Sequence, residues 1–257
     1  GGSRGGVDWG NTELATWGAE GGSLNAKRID VGYGTRTSGF VVSGNALVQT
    51  PQLNIGYANS PSTAGHMTLS NGTVEVATQM FLGRSGGGGT APCSLTLAGG
   101  TLAFGAASYL IQDNGFWVQT GGVFTNPTQS AGNNVFGRMD FQGGTYYQGG
   151  DFIQVVGIAT KFARVTITND AEVRIVPHST NFGRHTAFYV GAAGNAAVTG
   201  ELVVAGGNLI LTNGLGRYFV TGVARSNNGE IVLGNKPTSH GIMRVSGGSV
   251  RAYQIWM

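Results

Sequence analysis

Charge is scarce in this chain. Asp, Glu, Lys and Arg make up 11% of its 257 residues and the net charge is only +3, against about a quarter charged in ordinary soluble domains. Electrostatic nucleic-acid binding needs clustered Lys and Arg, so the composition does not support that role. Lysine occurs three times, at Lys27, Lys161 and Lys236, and the basic character is almost all arginine. Cysteine occurs once. Cys93 has no partner for an intrachain bridge and reads as a small apolar residue at a loop-to-strand joint. The four histidines, His66, His178, His185 and His240, stand in no H-x-H or H-E-x-x-H spacing, which removes the common zinc arrangements. The calcium repeat G-G-x-G-x-D and the phosphate loop G-x-x-x-x-G-K-[ST] are missing too, so no cofactor is expected. No run of eighteen apolar residues is present, which excludes a helical membrane span, and no signal-peptide pattern is found. Helix signals are nearly absent, since glycines and β-branched runs interrupt every segment longer than ten residues.

What is abundant is glycine, 47 residues of it. Nine small triplets recur: Glu20-Gly21-Gly22, Ser43-Gly44-Asn45, Ser70-Asn71-Gly72, Ala98-Gly99-Gly100, Thr120-Gly121-Gly122, Gln142-Gly143-Gly144, Thr168-Asn169-Asp170, Ala205-Gly206-Gly207 and Ser246-Gly247-Gly248. Their starts lie 23, 27, 28, 22, 22, 26, 37 and 41 residues apart, and periods of this size mark a solenoid. Three residues before the triplets stand Trp17, Phe40, Met67, Leu95, Trp117, Met139, Val165, Leu202 and Met243. One residue before stand Ala19, Val42, Leu69, Leu97, Gln119, Phe141, Ile167, Val204 and Val245, so 17 of these 18 positions are apolar. The two-residue step is that of a half-buried strand. Four residues after each triplet begins, a second strand starts at Leu24, Leu47, Val74, Leu102, Phe124, Tyr146, Leu209 and Val250. Glu172 breaks that column, as if one residue were inserted, which predicts a bulge or a longer corner. A third strand ends most coils in an apolar residue and a glycine, as at Val31-Gly32, Ile55-Gly56, Leu82-Gly83, Phe136-Gly137 and Val156-Gly157. The pattern predicts an all-β fold: a single-stranded, right-handed parallel β-helix of about nine coils, three strands each, forming one domain over residues 1–257. The two longest coils place irregular or inserted segments near 176–189 and 216–228.

The coil from Gly65 through Val76 with Phe81-Leu82-Gly83-Arg84, followed by Ser94-Leu95-Thr96-Leu97-Ala98-Gly99-Gly100-Thr101-Leu102, resembles the autotransporter and PEP-CTERM-associated repeat. That family carries G-x-L-x-V-S-G-G-x-L and a later L-x-I-G. The resemblance extends over most of residues 11–257, loosely at the two long coils. It implies a secreted bacterial β-solenoid at the cell surface, adhesive or structural.

An enzyme on such a scaffold needs carboxylates or basic groups converging from adjacent coils. Asp140, Asp151, Asp170 and Glu172, with Arg174, His178, Arg184 and His185 nearby in sequence, form no column in register. Asp170, Glu172 and Arg174 alternate as a solvated strand face with one ion pair. A non-catalytic role is therefore expected, with a carbohydrate-binding or polysaccharide-degrading β-helix as the alternative. Gly-Arg recurs at Arg84, Arg138, Arg184 and Arg217, where stacked guanidinium groups could grip an acidic glycan. The outward column between the two buried ones reads Gly18, Val41, Thr68, Thr96, Val118, Asp140, Thr166, Val203 and Arg244. With only two charges it suits lateral packing of stacks.

The chain opens on Gly1-Gly2 without methionine and stops at Tyr253-Gln254-Ile255-Trp256-Met257, on an apolar strand. Joining Met257 of one copy to Gly1 of the next gives a triplet spacing of 31 (257 − 246 + 20), within the observed range of 22 to 41. The expectation is head-to-tail stacking with itself, with Val7, Trp9, Tyr253, Ile255 and Trp256 at the contact. Neighbouring repeats of a longer chain would serve equally, and glycans or a cell surface are further candidate partners.

Overall fold

The computed structural model describes residues 15–32, 37–56, 63–83, 90–105, 107–127, 133–149, 152–155, 162–176, 186–191, 198–212, 229–234 and 237–257. Within them every regular element is a strand. Strands of successive coils pair in parallel, and the pairings sort into three sheets that run the length of a nine-coil β-helix. Each sheet takes one strand, or one half of a long strand, from each coil.

The first sheet follows the predicted register. Trp17, Phe40, Met67, Leu95, Trp117, Met139, Val165, Leu202 and Met243 are successive partners in one ladder. From Phe40 to Leu202 all are buried. Each such side chain contributes about 1.5–3 kcal/mol over an exposed one. The two end positions, Trp17 and Met243, are less buried. Trp17 is 54% exposed, stacked on Phe40 at 5.2 Å but with no described coil on its other side. Gln119, the polar exception in the second column, is nonetheless fully buried, and its Nε2 donates to the Thr145 carbonyl at 3.0 Å.

In the second sheet Leu24, Val48, Val74, Leu102, Phe124, Tyr146, Val173, Leu209 and Val250 form the inner column. Val48 replaces the expected Leu47, which is only half-buried. The reason is corner geometry. Most triplets carry positive φ at their third residue, as at Gly100 and Gly122, but two carry it at the second, Gly44 (60°) and Asn169 (52°). Both of those corners close with an N–H of Ala46 or Ala171 donating back to Ser43 or Thr168, and each is one residue longer. The insertion read at Glu172 is this longer corner; the same insertion after Ser43 moves the column from Leu47 to Val48.

The third sheet buries Val31, Ile55, Leu82, Ile111 and Val135 in register. Val135, rather than the expected Phe136, takes the inward place, because the strand ends there and Phe136 stands half-buried at the corner. Val156-Gly157 lies outside the described residues, as do 177–185 and 216–228 of the expected irregular segments. Thr186–Val190 is a third-sheet strand.

Coils four to six hold the aromatic centre of the core. Phe104, Tyr109, Trp117, Phe124, Phe141 and Tyr146 meet at centroid distances of 4.6 to 6.5 Å. A buried ring of hydrogen bonds crosses it. Tyr146 Oη donates to Gln148 Oε1 at 2.6 Å, so Tyr109, 2.7 Å away, donates to Tyr146. Asn133 Nδ2 donates to the same Gln148 oxygen at 2.9 Å, and the Tyr109 N–H returns to Asn133 Oδ1 at 2.9 Å.

Candidate functional site: the outer face of the first sheet

Strand alternation turns two rows of side chains outward from the first sheet. One row runs Val41, Thr68, Thr96, Val118, Asp140, Thr166, Val203 and Arg244, each the ladder partner of the next. The other, two residues upstream, runs His66, Ser94, Phe116, Arg138, Arg164, Glu201 and Ile242. The ladder hydrogen bonds between coils set the spacing of the outward groups, about 4.8 Å from coil to coil.

The face has two chemically distinct halves. From Val41 to Val118 the first row is short and β-branched, with no acidic or basic residue, while the second row carries His66, Ser94 and Phe116, with His66 Nδ1 and Ser94 Oγ hydrogen-bonded at 2.8 Å. From Arg138 onward it is ionic. Arg138 holds Asp140 through Nη2 at 2.8 Å and Nε at 3.2 Å. Glu201 is clasped from both sides, Arg164 Nε donating to one oxygen at 2.6 Å and Arg244 Nε to the other at 2.7 Å. Burial alone would raise the Glu201 carboxyl, but the Arg244 hydrogen bond and the Arg164 charge together hold it below the usual carboxylate range. Two rings support the arginines: the Arg138 guanidinium lies 5.1 Å from the Phe116 centroid and that of Arg164 lies 5.1 Å from Phe162.

The layering of these charges is uneven. The Asp140 and Glu201 side chains are 9% and 4% exposed, while those of Arg138, Arg164 and Arg244 are 53%, 40% and 66% exposed. Solvent therefore meets guanidinium edges, with the carboxylates underneath. Compared with family models, curated proteins and solved structures, the chain matches none.

Of the arginines expected to stack at one corner, Arg138 lies on this face; Arg84, Arg184 and Arg217 are outside the described residues. Its ladder neighbour is Arg164, and Arg244, two coils beyond, joins Arg164 through Glu201. Their grouping was missed because the outward column was read at a single offset; a second column two residues upstream aligns Arg138, Arg164 and Glu201. Of the expected end-contact residues, Val7 and Trp9 are outside the described residues. Ile255 faces inward, paired with Ile231, whereas Trp256 faces outward and its Nε1 donates to Glu230 Oε2 at 3.1 Å. The Tyr253 N–H donates to the Gly229 carbonyl at 2.7 Å.

The carboxylates do not converge. Glu172 pairs with Arg174 on the second sheet at 2.6 Å, Asp170 sits at an exposed corner, and Asp151 is outside the described residues. Among the described residues no three His, Cys, Asp or Glu side chains group as metal ligands, and no helix is long and apolar enough to cross a membrane. Cys93 is buried, and burial pushes its thiol up in pKa.

Proposed function

We propose that this chain is a structural or adhesive element of a bacterial extracellular filament or surface layer, and that its stack continues beyond the ninth coil by strand addition. One observation carries the reading. Val245 and Ile255 hold inward positions by register yet are 54% and 46% exposed, while their partners one coil below, Val204 and Ile231, are fully buried. Among the described residues the strands Ser239–Arg251 and Gln254–Trp256 pair along one edge only. Apolar inward positions left exposed in this way favour another strand layer. That layer is the first coil of a second copy, head to tail, or a further coil of the same polypeptide. A head-to-tail contact is heterologous and does not close, so it propagates a fibre.

The uncharged half of the first sheet, Val41 to Val118, supports lateral packing between stacks. The repeat pattern supports an extracellular, cell-surface setting. A catalytic role has less support, since Asp140 and Glu201 are each committed to arginine. Intact mass of the dissociated subunit, combined with electron micrographs of the purified protein, tests the proposal. Filaments built from subunits of this mass are expected for head-to-tail stacking, and a much heavier single polypeptide is expected if the neighbours are covalent. A monodisperse monomer of this mass at high concentration, with no filaments, overturns it.

A further inference from the structure

We infer that Arg138, Arg164 and Arg244 form a binding strip for an acidic polysaccharide, independently of how the stack is extended. The inference rests on the layering of charge, not on its amount. Three guanidinium groups stand over two buried carboxylates, so a ligand approaching the face meets N–H donors while the counter-charges act from beneath to hold those donors in place. Arg164 and Arg244 each spend only Nε on Glu201. Their Nη edges have no protein acceptor among the described residues and remain for a ligand.

The spacing suits an extended polymer better than a single small anion. Arg138 and Arg164 are ladder partners, about 4.8 Å apart in their backbones, and Arg244 lies two coils beyond Arg164, about 9.6 Å along the axis. The donors are thus spread along the solenoid axis over two adjacent outward rows of the sheet. Planar guanidinium forks match carboxylate and sulfate groups, and stacking on Phe116 and Phe162 restricts the motion that binding would otherwise have to freeze. Exposed Phe162 adds an apolar surface for a sugar ring beside the first donors. Nucleic acid is the less favoured polyanion, because its affinity grows with the number of phosphates neutralised and this chain carries a net charge of only +3.

Binding isotherms with heparin, polygalacturonate, neutral dextran and a single-stranded oligonucleotide test the inference on the whole protein. Heparin or polygalacturonate should bind, dextran should not, and the oligonucleotide should bind more weakly than the better glycan. Because removing the arginines alone would strand a buried carboxylate, the variant is R164Q/E201Q/R244Q, which discharges the cluster together. It should lose glycan affinity about tenfold or more, near 1.4 kcal/mol, with an unchanged circular dichroism spectrum. R138K/R164K keeps the charge but not the forks and should also bind more weakly. The inference is overturned if neither glycan binds the native protein, if the folded triple variant binds as well as native, if R138K/R164K is indistinguishable from native, or if the oligonucleotide binds as tightly as the better glycan.

Discussion

Replacing Tyr146 by phenylalanine deletes one oxygen from the centre of the stack, and the hydrogen-bond ring sets the size of the effect. Tyr146 Oη accepts from Tyr109 and donates to Gln148 Oε1. Without it the Tyr109 hydroxyl, fully buried, keeps only Met139 Sδ at 4.0 Å, a weak acceptor. Gln148 Oε1 retains its second donor, Asn133 Nδ2. One stranded buried hydroxyl costs about 1–3 kcal/mol. Tyr109→Phe is chemically the same change but leaves Tyr146 still donating to Gln148, so only one ordinary bond is lost, about 0.5–1.5 kcal/mol. Tyr146→Phe should therefore be the more damaging of the two. The double variant should cost less than the sum, since it removes the stranded group along with its partner. Urea unfolding followed by circular dichroism, compared at unchanged m value, measures all three. Equal costs for the single variants, or a strictly additive pair, would refute the direction assigned to the ring.

Leu95→Ala empties a fully buried site and should cost about 2–5 kcal/mol, whereas Thr96→Ala, on the outer row, should stay within about 0.5 kcal/mol; a urea series separates them. Gly122→Ala should destabilise by at least about 1–2 kcal/mol, because φ there is 66° and a Cβ would lie 2.7 Å from the Gly100 carbonyl oxygen. Calorimetry beside Gly105→Ala, where the nearest backbone atom is 3.8 Å away, isolates this corner effect. Burial raises the Tyr109 and Tyr146 hydroxyls above the ordinary value, with the neighbouring tyrosine charge raising Tyr146 further. Only the unfolded chain then ionises them near pH 10, so this stabilisation is complete below about pH 10 and declines as pH rises toward the folded values. Tyrosinate absorbance from these two rings should emerge together with loss of the β-sheet signal; its emergence in a still-folded protein would contradict the assignment.

The fold was legible because its register is a two-residue alternation punctuated by glycine, and both are local. Leu95, Thr96 and Leu97 could be placed inward, outward and inward from the residues alone. Leu47 could not, because the shift to Val48 depends on which corner residue adopts positive φ, and Gly44-Asn45 and Asn71-Gly72 look alike until the backbone is seen. Gln119 was placed inward by register, but how its buried amide is satisfied was not legible, because its carbonyl partner lies in the next coil. The arginine strip was only partly visible. Arg138, Arg164 and Arg244 are far apart in sequence, and two of them share a row while the third joins through Glu201.

The parallel ladders also determine how the molecule would carry force. Every strand-to-strand hydrogen bond runs from coil to coil, so tension along the axis loads all three sheets together, while tension on one strand end would peel bonds singly. The ring of Tyr109, Asn133, Tyr146 and Gln148 ties coils four, five and six across two of those sheets. Pulled from its ends, the chain should unwind outer coils in separate steps and yield those three as one longer step, a sequence that single-molecule extension records directly.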